Sequence, residues 1–188
     1  VYSSLGQSKA EATKDGIKEI NPAIQVAAYP AGITLENLDE FLEGCDFVHE
    51  VIDYSAPEVK IAIHRKAREK GIIVSSAAII GTGVATLIFH PQGMSFEEYF
   101  EYDERKKEWK QSIDKIAGVY PDYINREIFL GRIAKGQVPT TADGAFLTGI
   151  TTAGLYKRIL MGKEVAYAPK MVRWDMLDDQ FYNRAILG

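Results

Sequence analysis

Phe47-Val48-His49-Glu50-Val51-Ile52-Asp53-Tyr54-Ser55-Ala56-Pro57-Glu58 is the stretch that decides the fold. The apolar run from Phe47 to Ile52 reads as a strand and delivers Asp53 at its end. Ser55 and Glu58 then form a capping box that opens a helix running to about Lys70. Strand, acidic turn and capped helix in direct succession describe a βα unit. In an open α/β sheet, ligands bind in the crevice outside the carboxyl ends of the strands, so an Asp at that junction points toward it. The same position also suits a loop acid that satisfies neighbouring backbone donors.

The pattern repeats downstream. Gly71 stops the helix, and Ile72 to Ala78 is nearly continuous in apolar or small residues, as strands covered on both faces are. Alternating strands and helices of this kind indicate a mostly parallel, Rossmann-like sheet with crossover helices. Beyond Gly81-Thr82-Gly83, the β-branched run Val84 to Phe89 follows so tight a turn that an antiparallel pairing is allowed. Ser95 and Glu98 form another capping box, for a short helix through Phe100. Residues 101–137 change character: a charged helix, the aromatic turn Tyr120-Pro121-Asp122-Tyr123 and a second helix ending near Gly136. We read them as a helical insertion or lid within a single domain spanning 1–188, with Asp103 to Lys107 as a solvated face.

From about Ala142 to Met161 a helix carries Gly144, Gly149 and Gly154, each costing up to about 1 kcal/mol relative to Ala. Small residues of this kind permit close backbone approach, against the sheet or a second subunit. Gly162 ends this helix, and Lys170 to Asp175 reads as a final strand. Upstream, Ser8-Lys9-Ala10-Glu11 is a capping box for a helix reaching Ile20, stopped by Asn21-Pro22. Ile24 to Tyr29 reads as a short strand closed by Pro30. Thr34 caps a second helix with Leu35, Leu38, Phe41 and Leu42 on one face, ended by Gly44.

Composition narrows the function classes. The 188 residues are 46% hydrophobic and 26% charged, enough to bury a core and to exclude disordered and collagen-like classes. Acids outnumber bases 26 to 22, and the bases are scattered, so no footprint for nucleic acid is visible. The one cysteine, Cys45, excludes an intramolecular disulfide framework and a Cys-x-x-Cys zinc knuckle, which suits a reducing cytoplasm; it reads as a small buried hydrophobe. No segment reaches the roughly 18 apolar residues of a membrane span. His49, in the apolar strand, reads as a satisfied core or interface histidine, His64 as solvated, and His90 as a strand closer; the three are too dispersed for a metal triad.

Neither Gly-x-Gly-x-x-Gly nor Gly-x-x-x-x-Gly-Lys-Ser/Thr occurs. A doubly wound sheet normally opens with strand, glycine turn and helix, whereas here the polar stretch Val1 to Gln7 leads directly into a helix. The expectation is that an N-terminal part, carrying the first βαβ portion, lies upstream of Val1.

Leu5-Gly6-Gln7-Ser8-Lys9-Ala10-Glu11, Ile20-Asn21-Pro22, Asp46-Phe47-Val48 with Glu50-Val51-Ile52-Asp53, the Gly81-to-Pro91 segment and the small-residue helix Gly149 to Gly162 together resemble the ThiF/MoeB/HesA family, bacterial relatives of the adenylation domain of ubiquitin-activating enzymes. The resemblance implies ATP-dependent activation of a carboxylate as an acyl-adenylate. On that match Lys9 contacts the nucleotide phosphates, and Asp53 is the acid associated with magnesium and nucleotide, consistent with Mg²⁺ held by one or two carboxylates and phosphate oxygens. Tyr54 stands in the same nucleotide-binding stretch where many relatives carry Asn. The implied cofactors are ATP and Mg; the implied partner is an acyl substrate, such as the C-terminus of a small ubiquitin-like sulfur carrier, a peptide or a small acid; the implied assembly is a homodimer. The chain departs from the family's pattern in lacking both Cys-x-x-Cys pairs, so no zinc site is expected, and in having Pro57-Glu58-Val59-Lys60 where relatives place an arginine. It is similar to the zinc-free branch. A NAD-binding oxidoreductase, built on the same sheet, and a non-catalytic dimerisation module are the alternatives.

Overall fold

The computed structural model describes residues 5–52, 57–106, 108–109, 120–133, 135, 137, 140–177 and 180–185. The chain divides into two compact units, residues 1–41 and 42–188.

The first unit is built around helix α1 (Lys9–Ile20) and a single helical turn, α2 (Leu38–Phe41). Ser8 occupies the N-cap of α1, but its side chain makes no capping bond, so the capping box read there does not form. At the other end, Asn21 stops the helix in extended backbone, and the Lys18 ammonium bonds the carbonyl oxygens of Pro22 and Ile24. The strand expected over Ile24 to Tyr29 is absent: these described residues are irregular, because a strand needs a pairing neighbour and the described part of this unit has none. The helix expected from Thr34 also shrinks to α2. Asn37 Oδ1 accepts the Thr34 amide and Thr34 Oγ1 accepts that of Glu36, so the side chains build a turn that competes with the helix.

The second unit is a five-stranded sheet in the order β1-β2-β3-β6-β7. Strand β1 (Phe47–Glu50) lies parallel to β2 (Ile73–Ile80), connected by helix α3 (Pro57–Glu69), which is the expected βα unit. Strand β3 (Gly83–Phe89) turns back antiparallel on β2, and the late antiparallel section continues through β6 (Lys170–Asp175) and β7 (Gln180–Ala185), the last being a strand the sequence did not announce. The whole is a mixed α/β, Rossmann-like architecture.

Strand β3 is buried along its full length. On one side Leu87 and Phe89 join the aromatic cluster of helix α4 (Phe96–Phe100), whose Phe96, Tyr99 and Phe100 are almost wholly enclosed. Helix α4 starts with the expected capping box: Ser95 Oγ accepts the Glu98 amide and Glu98 accepts the Ser95 amide. On the other side of the sheet lies the long helix α6 (Ala142–Leu160). Gly144 makes the close approach there, because a Cβ at that position would sit 2.6 Å from Ile79 Cγ2. Gly149 and Gly154 face open space, so close packing explains only the first of the three.

Between these elements, the described part of 101–137 is not the charged helix expected after Glu101. Tyr102–Asp103 (β4) and Glu108–Trp109 (β5) form a short hairpin, in which Asp103 Oδ1 accepts the amides of Arg105 and Lys106 and turns the chain. The second expected helix is present as α5 (Arg126–Ile133).

Candidate functional site

β1 stops at Glu50, two residues before the sequence-based expectation, and the reason lies in its own carboxylate. Glu50 Oε2 accepts the Ile52 amide at 3.0 Å, while Lys60 Nζ donates to the Ile52 carbonyl at 2.9 Å. Both backbone groups that would have extended the ladder to β2 are therefore taken by side chains. Lys60 Nζ also lies 2.7 Å from each carboxylate oxygen of Glu50. Ser76 Oγ, opposite Glu50 on β2, donates to Oε1, and His64 Nε2 lies 3.5 Å from the same oxygen.

The cluster is closed to water: Glu50 is 3% exposed, Lys60 2% and His64 5%. Lys60 and His64 are four residues apart on α3 and so share one helix face. Phe96 covers them, with the His64 ring stacked at 4.0 Å and the Lys60 ammonium 5.7 Å above the ring. Burial alone would raise the Glu50 carboxyl, but the His64 hydrogen bond and the Lys60 charge outweigh it and hold the group at about 2. Burial depresses His64, against the opposing pull of Glu50. The imidazole is therefore neutral near pH 7. The reading of His64 as solvated is corrected: the apolar face of α3 carries it inward, where Glu50 satisfies it.

A second polar cluster sits on the same edge of the sheet, because β2 runs parallel to β1 and its carboxyl end is the β2–β3 hairpin. Asp175, fully buried, accepts the Tyr123 hydroxyl at 2.8 Å, the Thr82 hydroxyl at 3.3 Å and the Leu177 amide at 3.0 Å. Gly83 leaves the room this needs: a Cβ there would fall 2.5 Å from Asp175 Oδ2. The aromatic turn is thereby fastened to the hairpin. Thr141, the N-cap of α6, adds a hydrogen bond to the Gly81 carbonyl.

On the α6 side, His49 Nδ1 meets Ser75 Oγ at 2.8 Å, Ser75 Oγ meets the Tyr156 hydroxyl at 2.6 Å, and that hydroxyl donates to the Val48 carbonyl at 2.7 Å. This chain is structural: it ties α6 to β1 and β2. His49 is satisfied as expected, though exposed.

The site residues expected from sequence fall as follows. Lys9 is the first residue of α1, exposed, in the first unit. Asp53 and Tyr54 belong to the second unit and lie outside the described residues, as does Ser55 of the capping box. The described chain around them shows what the sequence reading missed. Glu50, Lys60, His64 and Ser76 lock the strand end that leads directly into residue 53. The signal was present in Glu50, a charged residue inside an apolar strand, and in a lysine and histidine spaced along the face of α3 that carries Ile61 and Ala67. Among the described residues, no group of three or more His, Cys, Asp or Glu side chains could hold a metal ion, and no helix is long and apolar enough to cross a membrane.

Residues 1–187 match the family model described as the ThiF family. The chain belongs to the ThiF family. Its fold is similar to that of PaaA (17% identity, TM-score 0.62, covering 99% of this chain and 50% of PaaA). It is likewise similar to Escherichia coli MccB solved with ATP (12% identity, TM-score 0.62, covering 99% and 49%) and to MccB solved with AMPCPP and MccA (11% identity, TM-score 0.62, covering 99% and 50%). The ThiF chain thus spans about half the length of these solved chains. No curated protein sequence matches it.

Proposed function

We propose that this ThiF-family chain is the adenylating part of an ATP-dependent enzyme that activates a carboxylate. A carboxylate oxygen of the acyl substrate attacks the α-phosphorus of ATP, the bond from that phosphorus to the bridging oxygen breaks, and pyrophosphate leaves with the electron pair, giving an acyl-adenylate. The observation that carries this reading is the family match over residues 1–187. The sheet supports it, with a rigid strand end at the carboxyl edge, where α/β sheets bind ligands.

The donor set suits nucleotide and Mg²⁺. Glu50 cannot serve as a metal ligand, because Lys60, Ser76, His64 and the Ile52 amide occupy both of its oxygens. On the family resemblance, Asp53 is the proposed hard carboxylate and Lys9 the proposed compact cation for phosphate. Bound Mg²⁺ would neutralise phosphate charge. In this reading Lys9 offsets charge at the phosphates, and Asp53 and Tyr54 are the nucleotide-binding residues that the family resemblance assigns.

MccB was solved together with AMPCPP and MccA; for this chain the proposed acyl substrate is the carboxylate of a peptide, of a small acid or of a ubiquitin-like protein C-terminus. A homodimer is the proposed assembly. Phe146 (74% exposed) and Ile150 (66% exposed) on α6 give it an apolar contact surface.

Equilibrium titration with ATP in the presence of Mg²⁺ tests the reading. Saturable binding is expected, and Lys9→Ala should weaken it about tenfold, the loss of one charge-assisted phosphate contact. An absence of saturable binding would contradict the proposal.

A further inference from the structure

We propose that Glu50 and Lys60 are positioning residues for the nucleotide site: their buried pair grips the peptide unit of Ile52 and so fixes the direction in which the chain enters residue 53. The inference rests on the reading of Asp53 as the magnesium and nucleotide ligand.

The geometry is specific to this task. Glu50 Oε2 holds the Ile52 amide at 3.0 Å and Lys60 Nζ holds the Ile52 carbonyl at 2.9 Å, so one residue is gripped at both of its backbone polar groups. The Ile52 carbonyl belongs to the planar peptide unit that also contains the nitrogen of residue 53, and fixing the oxygen fixes that plane. Buried pairs are in any case weak contributors to stability, since well-packed apolar residues of similar volume often do as well. Here the pair is braced from three sides, by Ser76 on β2, His64 on α3 and Phe96 on α4, so the grip on Ile52 is held to the sheet, the crossover helix and the aromatic core at once.

The grip also accounts for the lysine at position 60. Its long stem crosses from α3 to the end of β1, and its three donors match the three acceptors there, both Glu50 oxygens and the Ile52 carbonyl. The Ile52 peptide unit is thus held in the fixed frame that precise ligand geometry requires; misplacement by even about 1 Å can cost on the order of a hundredfold in a reacting complex.

The test uses the double variant Glu50→Met/Lys60→Met, which removes both charges and the grip while keeping the buried volume. ATP affinity is measured with Mg²⁺ and with EDTA, alongside thermal melting and hydrogen exchange of the Ile52 amide. The wild type is expected to bind ATP more tightly with Mg²⁺. The double variant is expected to melt close to the wild type, to exchange the Ile52 amide faster, and to lose about tenfold in affinity with Mg²⁺ while changing little in EDTA. A folded double variant that keeps the full Mg²⁺ effect overturns the positioning role and leaves the nucleotide reading intact. A wild type that binds no ATP overturns the nucleotide reading itself, and this inference with it. Glu50→Leu/Lys60→Leu, which likewise removes both charges and the grip, decides by the same comparison if the first double variant does not fold.

Discussion

An ammonium and a carboxylate taken out of water together cost several kcal/mol per ion to desolvate, so their removal one at a time and as a pair should differ in sign of consequence. Lys60→Ala leaves Glu50 charged and buried with no cation beside it, held only by Ser76, His64 and the Ile52 amide. We expect it to cost about 3–5 kcal/mol in a urea unfolding experiment, far above an ordinary core truncation of a polar residue. Acid should act on the same cluster. Glu50 binds its proton near 4.5 in the unfolded chain and at about 2 in the folded one. His64 is likewise depressed below its unfolded value of 6.5. At both groups the unfolded chain holds more protons than the folded one, so stability rises with pH and falls as pH is lowered. The melting temperature should start to drop below about pH 6.5 through His64 and drop further between about 4.5 and 2 through Glu50. His64→Gln should flatten the first part of that profile; an unchanged slope would show that another group carries it. The residues alone carried only a hint of this, Glu50 inside an apolar strand, because a lysine and a histidine on a helix read as solvent-facing unless their partner across the sheet is known.

At the scale of elements, burial by neighbours decides which local signals are realised. Strands β1, β2, β3 and β6 were legible because their apolar runs are paired and covered, whereas Ile24 to Tyr29 has comparable composition and no strand beside it among the described residues. Strand β7 escaped notice because Gln180, Asn183 and Arg184 break any apolar alternation, and its pairing with β6 supplies what composition lacks. Capping boxes behaved in the same way: Ser95 with Glu98 formed, Ser8 with Glu11 did not. The glycines of α6 make the contrast measurable. Gly144→Ala would place a methyl 2.6 Å from Ile79 Cγ2 and is expected to destabilise by about 1–3 kcal/mol despite alanine's better helix propensity. Gly149→Ala, with nothing within 4 Å, is expected to stabilise by about 0.5–1 kcal/mol. Thermal melts of the two variants should move in opposite directions.

For the molecule as a whole, the family and the α/β architecture were readable from the order of short motifs, and the match over residues 1–187 agrees with that order. The candidate site was readable only in part. Asp53 stood out as an acid at a strand end, but the apparatus that holds the strand end is made of residues distant in sequence, Glu50 with Lys60 and Ser76, and Thr82 with Tyr123 and Asp175. Both clusters lie at the edge of the sheet toward which β1 and β2 point, and both consist of buried charge satisfied by several partners, a combination that fixes backbone rather than adds net stability. The central claim is that this edge serves a nucleotide through Asp53. Isothermal titration with ATP, with and without Mg²⁺, on the wild type and Asp53→Asn tests it most directly. The account predicts saturable binding that Mg²⁺ strengthens in the wild type, and loss of that strengthening, by about tenfold, in Asp53→Asn. Equal Mg²⁺-dependent affinity in the two proteins would contradict it.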